Sequence, residues 1–187
     1  QEPYSIAMLL EENRLSLNGR PYRIVGTDIS NYALERARDG VYSRHEIRRG
    51  LSDARLKKFF EPADGEAWRV RHEVRKNVDF RYLNLLAKDF GSARFDIVFC
   101  RNVLIYLDRE TRKGVFERIE KTLNPGGLLF LGASETPNGI TDRFRPFPKT
   151  HGVFYAAAHG EPDPPTHIGT SPPAGTRASR REGATRK

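Results

Sequence analysis

Phe95-Asp96-Ile97-Val98-Phe99-Cys100-Arg101-Asn102 (FDIVFCRN) is the stretch on which the fold turns. Phe95 to Cys100 is an apolar run of strand length, and it stops on two polar residues. Downstream, Asp108 or Thr111 can open a helix that continues to Leu123. Asn124-Pro125-Gly126-Gly127 is a stop signal, and Leu128 to Ala133 is a second buried strand. Upstream, Tyr22 to Thr27 (YRIVGT) is a strand ending at Asp28. Ser30 can cap the next helix, Asn31 to Arg38, and Gly40 can close it. Strand and helix alternating in this way call for an α/β fold, a mostly parallel sheet covered by helices on both faces.

The remaining segments fill in around that frame. Tyr4, Ile6, Ala7, Leu9, Leu10 and Leu15 fit a helix with a broad apolar face, broken by Gly19-Arg20-Pro21. Ser52 to Phe60 reads as helical, with Leu56, Phe59 and Phe60 on one face. Ala67 to Val74 and Val78 to Leu83 alternate in the strand manner around a turn near Lys76-Asn77. That pair reads as a hairpin, a small antiparallel insertion on the sheet's edge. Gly152 to Ala158 is the last expected strand. From about His159 the chain turns rich in Pro, Gly, Ser and Arg, with Ile168 its only large aliphatic. Such a segment buries too little to offset its ordering entropy, so residues 159–187 are expected to be a disordered tail. There is no internal repeat.

The chain has 187 residues and a formal net charge of +8, which fits one domain of ordinary size with a basic surface. A basic surface favours acidic partners, although a solvated basic face is the commoner outcome. No apolar run reaches the length of a membrane span, and no basic-then-apolar leader is visible at Gln1. One cysteine, Cys100, excludes an internal disulfide and a multi-cysteine zinc site, and no metal is expected.

In open parallel sheets, ligands sit outside the carboxyl ends of the strands. Asp28, at such an end, can accept hydrogen bonds from both hydroxyls of a ribose, or simply complement the dipole of the helix that follows. Cys100-Arg101-Asn102 follows FDIVFC: Asn102 offers an amide, Arg101 a fork of donors, and Tyr106 lies five residues beyond Arg101. The alternatives are a surface ion pair for Arg101 and core packing for Tyr106. Cys100 reads as a small apolar residue. Asn84 can orient a ligand or cap a turn.

These residues resemble the chemotaxis-receptor methyltransferases (CheR-like), protein-glutamate O-methyltransferases that use S-adenosylmethionine. The matching stretches are Glu2-Pro3-Tyr4-Ser5-Ile6-Ala7, Thr27-Asp28-Ile29-Ser30, Val41-Tyr42, Arg69-Val70-Arg71, Asn84-Leu85-Leu86, Phe95-Asp96, Phe99-Cys100-Arg101-Asn102-Val103-Leu104-Ile105-Tyr106 and Asn124-Pro125-Gly126-Gly127. Their order and spacing agree over about residues 1–157. The resemblance implies a Rossmann-like methyltransferase domain over residues 1–158, with a β-subdomain at about 67–83. It implies that Glu2 contacts the cofactor from a glycine-containing loop and that Asp28 holds the ribose hydroxyls. Asn84 and Leu85 would frame the adenine, Cys100, Arg101 and Asn102 would line the cofactor near its methionine moiety, and Tyr106 would sit close to the transferred methyl. The partner implied is the cytoplasmic signalling domain of chemoreceptors, an acidic helical bundle. A cytoplasmic monomer is expected, with no nucleic acid and no membrane insertion. The short Glu61-Pro62-Ala63-Asp64-Gly65-Glu66 connection implies no peptide tether.

Methyl transfer to a carboxylate needs no strong general base, because an ordinary Glu titrates near ~4.3 and is already ionised. Placement of the nucleophile in line with the methyl group carries the catalysis. The family's first strand and glycine loop precede the Glu-Pro-Tyr-Ser motif, and this chain begins inside that loop. The resemblance therefore implies that the chain alone leaves two strand edges unpaired, binds cofactor poorly and aggregates. Two other readings are an amino-methyltransferase acting on nucleic acid or on a protein amide, and a non-catalytic module that senses the cofactor. The former usually carries an Asn-Pro-Pro-Tyr-like run, where this chain has Asn102-Val103-Leu104-Ile105-Tyr106.

Overall fold

The computed structural model describes residues 1–148 and 154–158. The expected tail, and Gly152 and Val153 of the expected last strand, lie outside the described residues. The chain divides into two compact units, Gln1–Gly91 and Ser92–Lys187.

The first unit opens on α1 (Glu2–Glu12), which has Pro in its first turn, where a missing N–H costs nothing. Tyr4, Ala7 and Met8, at i, i+3 and i+4, are its buried residues. The apolar face is narrower than its sequence suggests: Leu9 is half exposed, and Leu15, beyond the helix end, is 93% exposed. β1 (Ile24–Asp28) follows, then α2 (Asn31–Asp39). The Ser30 hydroxyl accepts from the Ala33 N–H and Gly40 closes the helix, both as expected.

A small layer comes next: β2 (Val41–Ser43), α3 (Arg44–Ile47), α4 (Asp53–Phe59), β3 (Phe60–Pro62), β4 (Ala67–Val70) and α5 (His72–Arg75). β4 is the central strand of an antiparallel sheet ordered β2-β4-β3. The unit's last strand, β5 (Val78–Tyr82), pairs in parallel with β1, Ile24 opposite Val78 and Asp28 opposite Tyr82. The expected hairpin between 67–74 and 78–83 is therefore corrected. The antiparallel hairpin is β3–β4, and the segments 67–70 and 78–82 belong to different sheets. Alternation marks a strand's two faces but says nothing about its partner. Between them, α5 is a single helical turn, too short to show a period of its own.

The core of this unit gathers Tyr4, Ala7, Met8, Leu34, Ile47, Phe59, Phe60, Val70, Val74 and Phe80. The Tyr4 hydroxyl donates to the Ala37 carbonyl at 2.7 Å, so its polar end is satisfied where its ring is buried. Gly26 is a close approach: a β-carbon there would lie 2.8 Å from the Phe80 ring and 3.0 Å from the Pro3 ring. The first turn of α1 is thereby seated against β1.

The second unit is built on β6 (Phe95–Cys100), α6 (Arg109–Thr122) and β7 (Leu123–Leu131), with β6 and β7 parallel. The Asp108 carboxylate caps α6, accepting from the Thr111 N–H at 2.8 Å. Val115, Phe116, Ile119 and Thr122 form its buried stripe. The Asn124–Gly127 signal does end the helix. It is taken up into the start of β7, with a register shift between Phe95 and Ile97. Asn124 Nδ2 pins that irregular stretch to Asp96 Oδ1 at 2.8 Å. β8 (Phe144–Pro146), which the sequence reading missed, and β9 (Phe154–Ala157) complete a sheet ordered β6-β7-β9-β8, both added antiparallel. The parallel pairs are thus as the alternation requires, and the later strands reverse direction. No described helix is long and apolar enough to cross a membrane.

Candidate functional site

In the first unit, Asp28 ends β1 beside Tyr82, and the Leu83 N–H donates to the Asp28 carbonyl at 3.0 Å. Asp28 and Asn84 therefore stand at adjacent strand ends: Asp28 accepts the last backbone bond of the pair, and Asn84 follows the residue that donates it. The Asp28 carboxylate is exposed, and Oδ1 accepts the Ser30 N–H at 2.8 Å. It thus braces the start of α2 and still presents negative charge at the strand end. Asn84 does cap a turn: its Oδ1 accepts the Leu86 N–H at 2.8 Å, and its amide nitrogen can only donate. Leu85 beside it is half-buried, and Glu2 is exposed in the first turn of α1, where a carboxylate complements the helix dipole. Because Pro3 rests on Gly26, that turn lies two residues short of Asp28 along β1.

The second unit carries Cys100, Arg101, Asn102 and Tyr106 on the end of β6. The Arg101 guanidinium lies over the Phe130 ring, 5.4 Å from its centroid. Asn102 is held in the left-handed region at φ 59°, uncommon for a residue with a side chain. Leu104 is buried and anchors a short 3₁₀ turn, Leu104–Tyr106. Tyr106, at the end of that turn, is 81% exposed, which removes the core-packing alternative.

Cys100 is buried. Burial pushes its thiol up to about 12, and the negative charge of Glu135 adds to the effect. It is a neutral, small apolar group at working pH. At pH 8 its thiolate fraction is about 1,000-fold below that of a free cysteine, so iodoacetamide should leave it unmodified until the protein is unfolded. Alkylation of the folded protein at the rate of a free thiol would contradict this. The folded state keeps this proton to a higher pH than the unfolded state, so stability falls as pH rises from ~9 towards 12.

The residue that sequence reasoning missed is Glu135. The residue is 6% exposed, and its carboxylate accepts four backbone N–H groups. Oε2 takes those of Asn102 at 2.7 Å and Gly132 at 2.9 Å. Oε1 takes those of Val103 at 2.9 Å and Leu104 at 2.7 Å. The signal available in the sequence was an acid placed just past a buried apolar strand, in Gly132-Ala133-Ser134-Glu135. Among the described residues, no cluster of side chains could hold a metal ion.

The family profile described as CheR methyltransferase, SAM binding domain, matches residues 1–153. The chain is 43% identical over 160 residues to chemotaxis protein methyltransferase Cher2 of Pseudomonas putida, covering 84% of this chain and 58% of that one. It is 43% identical over 157 residues to the chemotaxis protein methyltransferase of Vibrio parahaemolyticus, covering 83% and 57%. It is 41% identical over 148 residues to the chemotaxis protein methyltransferase of Escherichia coli K12, covering 77% and 51%. The chain spans about half the length of the curated relatives it matches.

Proposed function

The chain belongs to the CheR methyltransferase family, and from that premise we propose that it carries the cofactor half of an enzyme that transfers a methyl group from S-adenosylmethionine to glutamate carboxylates of chemoreceptors. The observation that carries the reading is the extent of the family match: residues 1–153 include every candidate site residue, from Glu2 to Tyr106. The donor set fits the cofactor in kind. An exposed carboxylate at a strand end suits a ribose diol, half-buried Leu85 beside the Asn84 amide suits an adenine edge, and Arg101 and Asn102 suit the charged methionine end. We read residues 1–158 as one methyltransferase domain, acting as a cytoplasmic monomer. The substrate proposed is the acidic helical bundle of the receptor's signalling domain, and the net charge of +8 supports attraction to it. The β3–β4 connection is a short turn over 63–66, which supports a domain without a peptide tether.

S-adenosylmethionine supplies a methyl group already activated on a sulfonium. The receptor glutamate arrives ionised, so the protein's task is to orient it and keep the site dry. Cys100, neutral and buried, takes no part as a nucleophile. Tyr106 presents an exposed hydroxyl within a turn anchored by Leu104, and it is the residue proposed to orient the carboxylate. A hydrogen bond to a charged group contributes ~1.5–3 kcal/mol, so Tyr106→Phe should lower kcat/KM by about 10- to 100-fold in the full protein. Unchanged turnover and unchanged substrate affinity would remove Tyr106 from this role.

The substrate class is tested with methyl-labelled cofactor, offered receptor signalling domains and DNA in parallel. The expected label sits on the receptor and is released as methanol by mild alkali, as an ester must be. Label on DNA, or label on protein that resists alkali, would support an amino-methyltransferase instead.

A further inference from the structure

We propose that Glu135 is a positioning residue: its carboxylate holds the Arg101–Leu104 loop in the shape that receives the cofactor, before the cofactor binds. The inference rests on the functional reading above, and it concerns a side chain that reading does not use.

Asn102, Val103 and Leu104 present three consecutive N–H groups, and consecutive amides in this arrangement form a small anion-binding concavity. Here the occupant is internal. Glu135, 31 to 33 residues later in the chain, fills it with both oxygens and ties in the Gly132 N–H as well. A buried charge is tolerable only when its acceptor sites are used, and here each oxygen takes two donors. The arrangement also accounts for two local features. Asn102 keeps its left-handed φ of 59° because its own N–H and those of the next two residues are bound. Gly132 has no side chain because the carboxylate lies over its α-carbon: a β-carbon there would come 2.7 Å from Oε2 and 3.2 Å from the Asn102 nitrogen. With those three amides committed, the polar side chains that the loop carries are Arg101 and Asn102.

Glu135→Gln has the right shape and the wrong chemistry. Its amide NH₂ must face two N–H donors whichever way it is turned, so two of the four bonds are lost, at least one of them to the loop. In the full protein, the expected result is a Kd and a KM for S-adenosylmethionine raised about tenfold or more, with the KM for receptor unchanged. A merely structural role would give less folded protein and a lower kcat in proportion, with KM for the cofactor unmoved. Cofactor affinity equal to wild type would likewise overturn the proposal. If Glu135→Gln fails to fold, amide exchange in the wild-type protein decides. Asn102, Val103 and Leu104 should already be protected, and to a similar degree, before cofactor is added. Exchange at unstructured rates until cofactor is added would mean that the ligand, not Glu135, orders the loop. A wild-type protein that binds no S-adenosylmethionine would overturn the functional reading itself, and this inference with it.

Discussion

Asp28→Asn is expected to weaken S-adenosylmethionine binding by about 100-fold while leaving the fold intact. The two roles of this side chain separate in that substitution. Asn keeps an oxygen for the Ser30 N–H, so the start of α2 stays braced. It loses the charge and the second acceptor that a ribose diol would use. Hydrogen bonds to a charged group contribute ~1.5–3 kcal/mol each, and about 2.8 kcal/mol corresponds to 100-fold in affinity. The measurement is a calorimetric titration of the full protein beside a melting curve of each variant. Equal affinity would leave Asp28 as a turn-forming residue only. A large fall in melting temperature would show that its service to α2 outweighs its service to the ligand.

Phe116→Ala carries the largest expected cost in stability, about 3–5 kcal/mol. Phe116 is the largest of the fully buried side chains, on the stripe of α6 that also buries Val115 and Ile119. Its ring packs against Phe144 of β8 at 5.9 Å between centroids. Removing it deletes apolar burial and opens a cavity that close-packed neighbours fill only in part. Denaturant unfolding should show the loss as a lower midpoint with an unchanged slope. A loss below ~1 kcal/mol would mean that this core is far looser than its packing shows. Phe116 belongs to the unit that carries Cys100 to Tyr106, so the same substitution should also reduce cofactor affinity.

The elements that could be read from sequence are those whose signal is local. Ser30 and Gly40 bracket α2, and Asp108 opens α6, because caps are satisfied within a few residues of the helix end. The strands that end at Asp28 and Cys100 announce themselves by apolar runs that stop on polar residues. What failed depends on partners far away in the chain. The segments near Ala67 and Val78 both alternate, yet one joins an antiparallel layer and the other pairs with β1. Strands as short as β2, β3 and β8 carry too few residues to show a period at all. Glu135 was invisible for the same reason. Its partners begin at Asn102, and nothing in the intervening residues says that the two loops meet. Asp28, Asn84 and Cys100 to Asn102 were legible because they follow or end apolar strands, whereas Glu2 and Leu85 were named only by the family resemblance. The carboxylate that holds one of those strand ends in place was not legible.

The central proposal is that this chain receives S-adenosylmethionine at the carboxyl ends of its parallel strands. Hydrogen–deuterium exchange of the full protein, with and without S-adenosylmethionine, tests it most directly. Slower exchange is expected on binding in three segments, 28–30, 84–86 and 100–106, with the β2–β4–β3 layer unchanged. Protection confined to that layer, or absent from all three segments under saturating cofactor, would contradict it.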